Sequence, residues 1–237
     1  MKKLLYLPLL LVLSQFVVGR QINHKDDGLG LLFHFNEGTG TNVYGSSPYR
    51  HAGTLVGNAA WVDGKYGKAI HVDGLGDKIE ISPGASAWDD TQLLSLFIWV
   101  YIESINSNDQ HTSFIVISDG LGVIYLYYNN NSNKIEIYIS DVGSYVTSDS
   151  GLEFNKWNFV GCTWDGSVVR FYINGEPDGV TAYVGTKGTE TDAFRVGSGQ
   201  ANRDMVGDFD EPFYYNRILP DGEVKIKYLE EKGKFID

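Results

Sequence analysis

Along most of this chain apolar residues recur at every second position, in runs rich in Ile, Val, Tyr, Phe and Trp that are broken by Gly, Asn and Asp. Alternation by two places side chains on opposite faces of an extended strand, whereas a helix would need a repeat of about 3.6. The pattern therefore predicts an antiparallel β protein. Leu96, Ile98, Val100 and Ile102 alternate with Phe97, Trp99 and Tyr101, so both faces of that strand are apolar and it should lie centrally, covered on both sides. Strands Val160 to Trp164 and Ser167 to Ile173 meet at Asp165-Gly166, and the second ends at Asn174-Gly175; both dipeptides favour the type I′ turn of a hairpin.

One hairpin can be put in register. With Ile124, Leu126 and Tyr128 on the core face of one strand and Ile139, Ile137 and Ile135 on the next, Asn129 to Lys134 forms the loop. The opposite face then pairs Tyr125 with Tyr138 and Tyr127 with Glu136. The β pattern ends in the tail, where Val224, Ile226, Tyr228 and Leu229 have near-helical spacing between Pro220 and Gly233, predicting a short amphipathic helix from Asp221 to Lys232.

The first residues carry a different signal. Lys2 and Lys3 precede an apolar run from Leu4 to Leu13, and Val17-Val18-Gly19 offers a small-residue cleavage pattern. The run is shorter than the ~20 residues of a bilayer span and contains Pro8, so residues 1–19 read as an export leader and 20–28 as a polar lead-in. Residues 29–237 then make one domain, since about 200 residues suit a single sandwich or barrel. The expected location is secreted or cell-surface.

Acidic residues number 30 against 19 basic, for a formal charge of −11; without Lys2 and Lys3 it becomes two units more negative. Such a surface repels phosphate backbones and anionic lipid, which excludes nucleic acid and direct membrane binding as expected partners and suits cations. Cys162 is the single cysteine, so no internal disulfide forms, and its place in an alternating strand predicts a buried, inert thiol. His24, His34, His51, His71 and His111 show no paired metal-ligand spacing, and no Ser-His-Asp set or phosphate-binding glycine loop is recognisable. Asn130-Asn131-Ser132 is a glycosylation sequon.

Carbohydrate recognition needs a flat aromatic surface for sugar C–H faces beside amides and carboxylates for the hydroxyls. Tyr125, Tyr127, Tyr138 and Glu136, on the face turned away from the core, meet that description, with Asn129 to Asn131 and Asn133 at the adjacent tip. Cross-strand tyrosine pairing that only stabilises the sheet is the plainer reading of the same residues.

Four stretches, in order, resemble the laminin-G-like jelly rolls of the concanavalin A-like superfamily. They are Leu31-Leu32-Phe33-His34-Phe35-Asn36-Glu37-Gly38 with Gly53-Thr54-Leu55; Gly64-Lys65-Tyr66-Gly67-Lys68-Ala69 and Val72-Asp73-Gly74 with Asp77-Lys78-Ile79-Glu80-Ile81; Lys156-Trp157-Asn158-Phe159-Val160 with Trp164-Asp165-Gly166 and Phe171-Tyr172-Ile173-Asn174-Gly175; and Phe209-Asp210-Glu211 with Tyr215-Asn216-Arg217-Ile218-Leu219. The resemblance implies a two-sheet antiparallel β-sandwich with a short C-terminal helix. Pro212 departs from the pattern, and because proline cannot donate to a ladder its strand should lie at an edge or carry a bulge.

The same resemblance implies, for many members, one structural calcium ion near loops that tie the first and last strands, and the matching residues here are Asp73, Asp77 and Asp210, with Asn36 opposite. It also places Trp157 and Trp164 in the core. Jelly-roll glycoside hydrolases carry two carboxylates at alternate strand positions, which would require Asp208 and Asp210 here, on a strand that Pro212 interrupts. The expected function is thus a non-catalytic binding module for carbohydrate on a cell surface or matrix, with calcium as the cofactor that the resemblance implies. A structural or adhesive protein that contacts other extracellular proteins is the alternative, and a hydrolase or lyase on the same scaffold the third reading.

Overall fold

The computed structural model describes residues 28–74, 76–82, 92–105, 109–118, 123–187, 193–198 and 203–233. The leader at 1–19 and most of the lead-in lie outside them. Among the described residues the chain forms two eight-stranded antiparallel sheets and one helix.

In the first sheet the path runs β14 (Glu176–Ala182), β13 (Val168–Ile173), β12 (Trp157–Trp164), β7 (Leu94–Ile105), β16 (Met205–Tyr215), β5 (Lys68–Val72) and β4 (Ala60–Asp63), with β1 (Leu29–Leu32) also paired to β16. The second runs β11 (Tyr145–Gly151), β10 (Lys134–Ile139), β9 (Val123–Asn129), β8 (His111–Ser118), β15 (Ala193–Gly197), β6 (Lys78–Ile81), β3 (Ala52–Val56) and β2 (Asn42–Tyr44). The helix α1 spans Asp221–Gly233.

Leu96, Ile98, Val100 and Ile102 of β7 enter the main core between the sheets, with Ile124, Leu126, Tyr128, Ile135, Ile137 and Ile139 facing them from the second. The other face of β7 is equally dry. Phe97 and Trp99 pack with Phe159, Tyr172, Phe213, Leu219 and Val224 in a second cluster beneath α1. The doubly apolar alternation is thus explained by one strand serving two cores.

Strand β16 sits centrally, and Pro212 is accommodated by the second of the two expected solutions: the register against β7 jumps between Asp210↔Trp99 and Phe213↔Phe97. Glu211 adopts φ 49 in that bulge, and the freed edge of β16 is shared between β5 at one end and β1 at the other. The closing strand thereby joins the first strand to the sheet.

Asn174 and Gly175, at φ 52 and 77, make the expected tight turn between β13 and β14. Asp165-Gly166 does not. Asp165 keeps negative φ, β13 starts only at Val168, and the Asp165 carboxylate accepts the amides of Ser167 and Val168 at 2.9 and 2.8 Å, closing a longer loop. The helix also needs a correction: Val224 and Tyr228 face the sheet, while Ile226 and Leu229 are exposed, because one helical face cannot hold all four.

Trp164 is fully buried and donates its indole N–H to the Tyr183 carbonyl, and Trp157 is half-buried against Tyr101. Cys162 lies wholly inside the main core, and burial pushes its thiol up to about 12. A thiol held protonated and out of reach is inert. We expect no reaction with a disulfide reagent in the folded protein and one equivalent in denaturant; labelling of the native chain would show the core to be open.

Candidate functional site

The β9–β10 register is the one expected, with Tyr125↔Tyr138 and Tyr127↔Glu136 on the face opposite Ile124, Leu126, Ile135 and Ile137. Extending the same face across β8 and β11 adds residues that single hairpins do not reveal. Tyr138 stands opposite Tyr145 of β11, and His111 of β8 opposite Asn129.

The rings form a continuous layer. Tyr125 stacks on Tyr127 at 4.6 Å, Tyr138 meets Tyr125 at 6.0 Å and Tyr145 at 4.7 Å, and Tyr145 stacks on His111 at 4.6 Å. These are ordinary attractive aromatic separations. The layer has a floor and a surface: Tyr127 and Glu136 are buried, Tyr125 and Tyr138 are half-exposed, and Tyr145 is 41% exposed. Of the four predicted ligand residues, Tyr127 and Glu136 therefore support the surface from below.

Polar groups rim the layer. Arg203 lies over the Tyr127 ring at 5.0 Å, donates to its hydroxyl, and donates to Asp109 at 3.0 Å. Burial acts to raise the Asp109 carboxyl, but the Arg203 guanidinium overrides it and holds the group below the usual range. Glu136 accepts from Asn129 Nδ2 at 3.0 Å and faces His111 Nε2 at 3.2 Å. Burial nevertheless pushes its carboxyl above the ordinary value, with those two partners pulling the other way. The Asn130 side chain, the sequon position, accepts from Thr112 and donates to the Asp109 carbonyl.

The acidic residues divide between two places. Asp77 is buried; its two oxygens accept the amides of Asn58 at 2.7 Å and Asp73 at 3.0 Å, and Asn58 Nδ2 reaches Asp73 at 3.5 Å. Asp210, fully buried on β16, accepts the amides of Tyr66 at 3.0 Å and Glu211 at 2.9 Å. The carboxylates of Asp73, Asp77 and Asp210 do not gather within 4.8 Å of one another. As a set they do not fit one calcium ion, which needs convergent oxygens, because Asp77 and Asp210 hold backbone amides in two separate places.

Asp208 is likewise separate from Asp210 in its partners, meeting His71 Nδ1 at 2.7 Å. A buried carboxylate whose two oxygens both hold backbone N–H groups is a structural anchor, so the geometry does not supply a paired acid and nucleophile on this strand. His111, Tyr145, Arg203 and Asp109 were not legible as site residues. Tyr145 could have been found by continuing the alternation into the next hairpin, but Arg203 arrives from a loop 76 positions beyond Tyr127.

The sequence profile of the Concanavalin A-like lectin/glucanases superfamily matches residues 73–225. No match appears among curated protein sequences. Among solved structures, domain 4 of AbnA, an extracellular arabinanase from Geobacillus stearothermophilus in complex with arabinotriose, is similar at TM-score 0.68 and 20% identity over 84% of this chain and 98% of that one. The binding domain of Paraclostridial Mosquitocidal Protein 1 gives 0.69 at 15% identity over 87% of this chain and 53% of that one, and the botulinum neurotoxin serotype G binding domain 0.68 at 14% over 86% and 51%. The chain thus spans about half the length of the two toxin domains. At such identities the likeness is one of fold, and it agrees with the two-sheet architecture. With a profile covering well over half its length, the chain belongs to the concanavalin A-like lectin/glucanases superfamily.

Proposed function

We propose that this chain is an exported, non-catalytic binding module that takes carbohydrate on the Tyr125–Tyr138–Tyr145 surface. The observation that carries the reading is the aromatic layer itself. Three tyrosines in sequence contact present exposed or half-exposed rings on one sheet face, and Arg203, Asp109 and Asn129 lie at its margin. Rings cover apolar sugar faces, and charged and amide groups pair with hydroxyls. A domain of the same fold that was solved with arabinotriose supports the choice of carbohydrate. The commitment of Asp210 to two backbone amides supports the non-catalytic part.

A glycan array followed by calorimetry on the best ligand tests this. Tyr138→Ala and Tyr145→Ala should each weaken binding about tenfold, near 1.4 kcal/mol, with the melting temperature of Tyr145→Ala lowered by only about 2–4 °C, because that ring is 41% exposed and loses only its contacts with His111 and Tyr138. Binding that ignores both changes would remove the site. Silence on the array together with self-association would favour protein–protein contact, for which the exposed Ile226 and Leu229 of α1 are the supporting observation.

A further inference from the structure

On the outer face of the other sheet, three adjacent strands bring together a histidine and two carboxylates that neither core nor tyrosine layer uses. His71 of β5 is paired in register with Asp208 of β16. On the far side of β16 the pairing with β7 jumps from Val206↔Ser104 to Gly207↔Ile102, leaving Glu103 as the extra residue of a bulge. One ligand atom from each of His71, Glu103 and Asp208 lies within 4.8 Å of the others. We propose that these three residues form a binding site for a divalent transition-metal ion, zinc above all.

The chemistry selects the ion. One imidazole nitrogen with two carboxylates is a borderline donor set that suits zinc or manganese, whereas calcium takes 6–8 oxygens, for which this site offers too few and the wrong kind. Three donors bound to zinc at about 2.1 Å stand roughly 3.4 Å apart, and the three ligand atoms already lie within 4.8 Å of one another, a difference on the scale of side-chain rotation. The fourth position stays open to water. His71 Nδ1 and Asp208 Oδ1, now 2.7 Å apart in a hydrogen bond, would exchange that bond for two bonds to metal.

The electrostatics ask for a cation. A carboxylate oxygen of Glu103 and one of Asp208 lie within 4.8 Å of each other. Among the described residues no hydrogen bond or ion pair occupies Glu103, which is exposed, while the side chains of His71 and Asp208 are 25% and 15% exposed. A third carboxylate, Asp73, lies two positions past His71. Two like charges converging on one imidazole, on strands whose register holds them there, is the arrangement a metal ion relieves.

The untagged full chain, stripped with chelator, is titrated with zinc, manganese and calcium by calorimetry and followed by thermal unfolding. We expect one zinc per chain, a melting temperature that rises with zinc by several degrees at about a hundredfold excess over Kd, and weaker or no response to calcium. Glu103→Gln and His71→Ala should each weaken zinc about tenfold or more, and Glu103→Gln, at an exposed position and with one of two like charges removed, should not lower the metal-free melting temperature. Absence of zinc binding, undiminished binding in both variants, or a calcium response larger than that of zinc would overturn the proposal. Because the tyrosine layer belongs to the opposite sheet, glycan binding by the same samples reports separately on that surface.

Discussion

Trp99→Ala is expected to destabilise the domain by ~3–5 kcal/mol, the usual range for deleting a large buried ring whose site cannot collapse. Trp99 is 1% exposed and lies where the central strand meets the helix. It meets Phe159 at 5.3 Å, Tyr66 at 5.8 Å and Tyr228 of α1 at 5.5 Å, and Lys65 lies over it at 4.7 Å. Removing it leaves a cavity beneath the helix and takes away the ring on which Tyr228 stacks. A loss of this size lowers the melting temperature by roughly 10 °C in a domain of about 200 residues. Hydrogen exchange should show α1 losing protection before the sheets, since the second cluster alone is breached. A shift under about 2 °C would mean that the helix does not depend on this cluster.

Gly161→Ala should be comparably damaging for the opposite reason. Gly161 lies in β12 between Phe97 of β7 and Tyr172 of β13. A Cβ there would stand 2.2 Å from the Leu96 carbonyl oxygen and 2.4 Å from the Phe97 ring. The oxygen belongs to the sheet ladder and cannot retreat, and the ring is held by stacks on Phe159 and Phe213, each at 5.3 Å. Overpacking of this kind costs about 3 kcal/mol or prevents folding. Urea unfolding reads the loss directly, and a midpoint equal to that of the parent protein would show that β12 can bow outward at this point.

Set against the structure, the alternation proved most informative where pairing is local. The Tyr125↔Tyr138 and Tyr127↔Glu136 pairs follow from a short loop and two apolar faces, because a slip of one residue would expose Ile135, Ile137 and Ile139 to water. The sequence was less informative about turns, where Asp165 used its side chain instead of positive φ, and about α1, where helical spacing admitted more apolar residues than one face can hold.

Sequence alone determined the all-β class, the central place of the strand carrying Trp99, the burial of Cys162 and the tyrosines of the β9–β10 face. Each follows from neighbours within one strand or one hairpin, where period and turn length leave few arrangements. Tertiary structure decided the rest. Placing Arg203 on Tyr127, Tyr145 on His111, and His71 and Glu103 on either side of Asp208 requires the order of strands in each sheet, which depends on how two cores close at once. It also decided that Asp210 spends both oxygens on backbone amides, since only the folded bulge at Glu211 and the turn at Tyr66 between β4 and β5 bring those two N–H groups to one carboxylate.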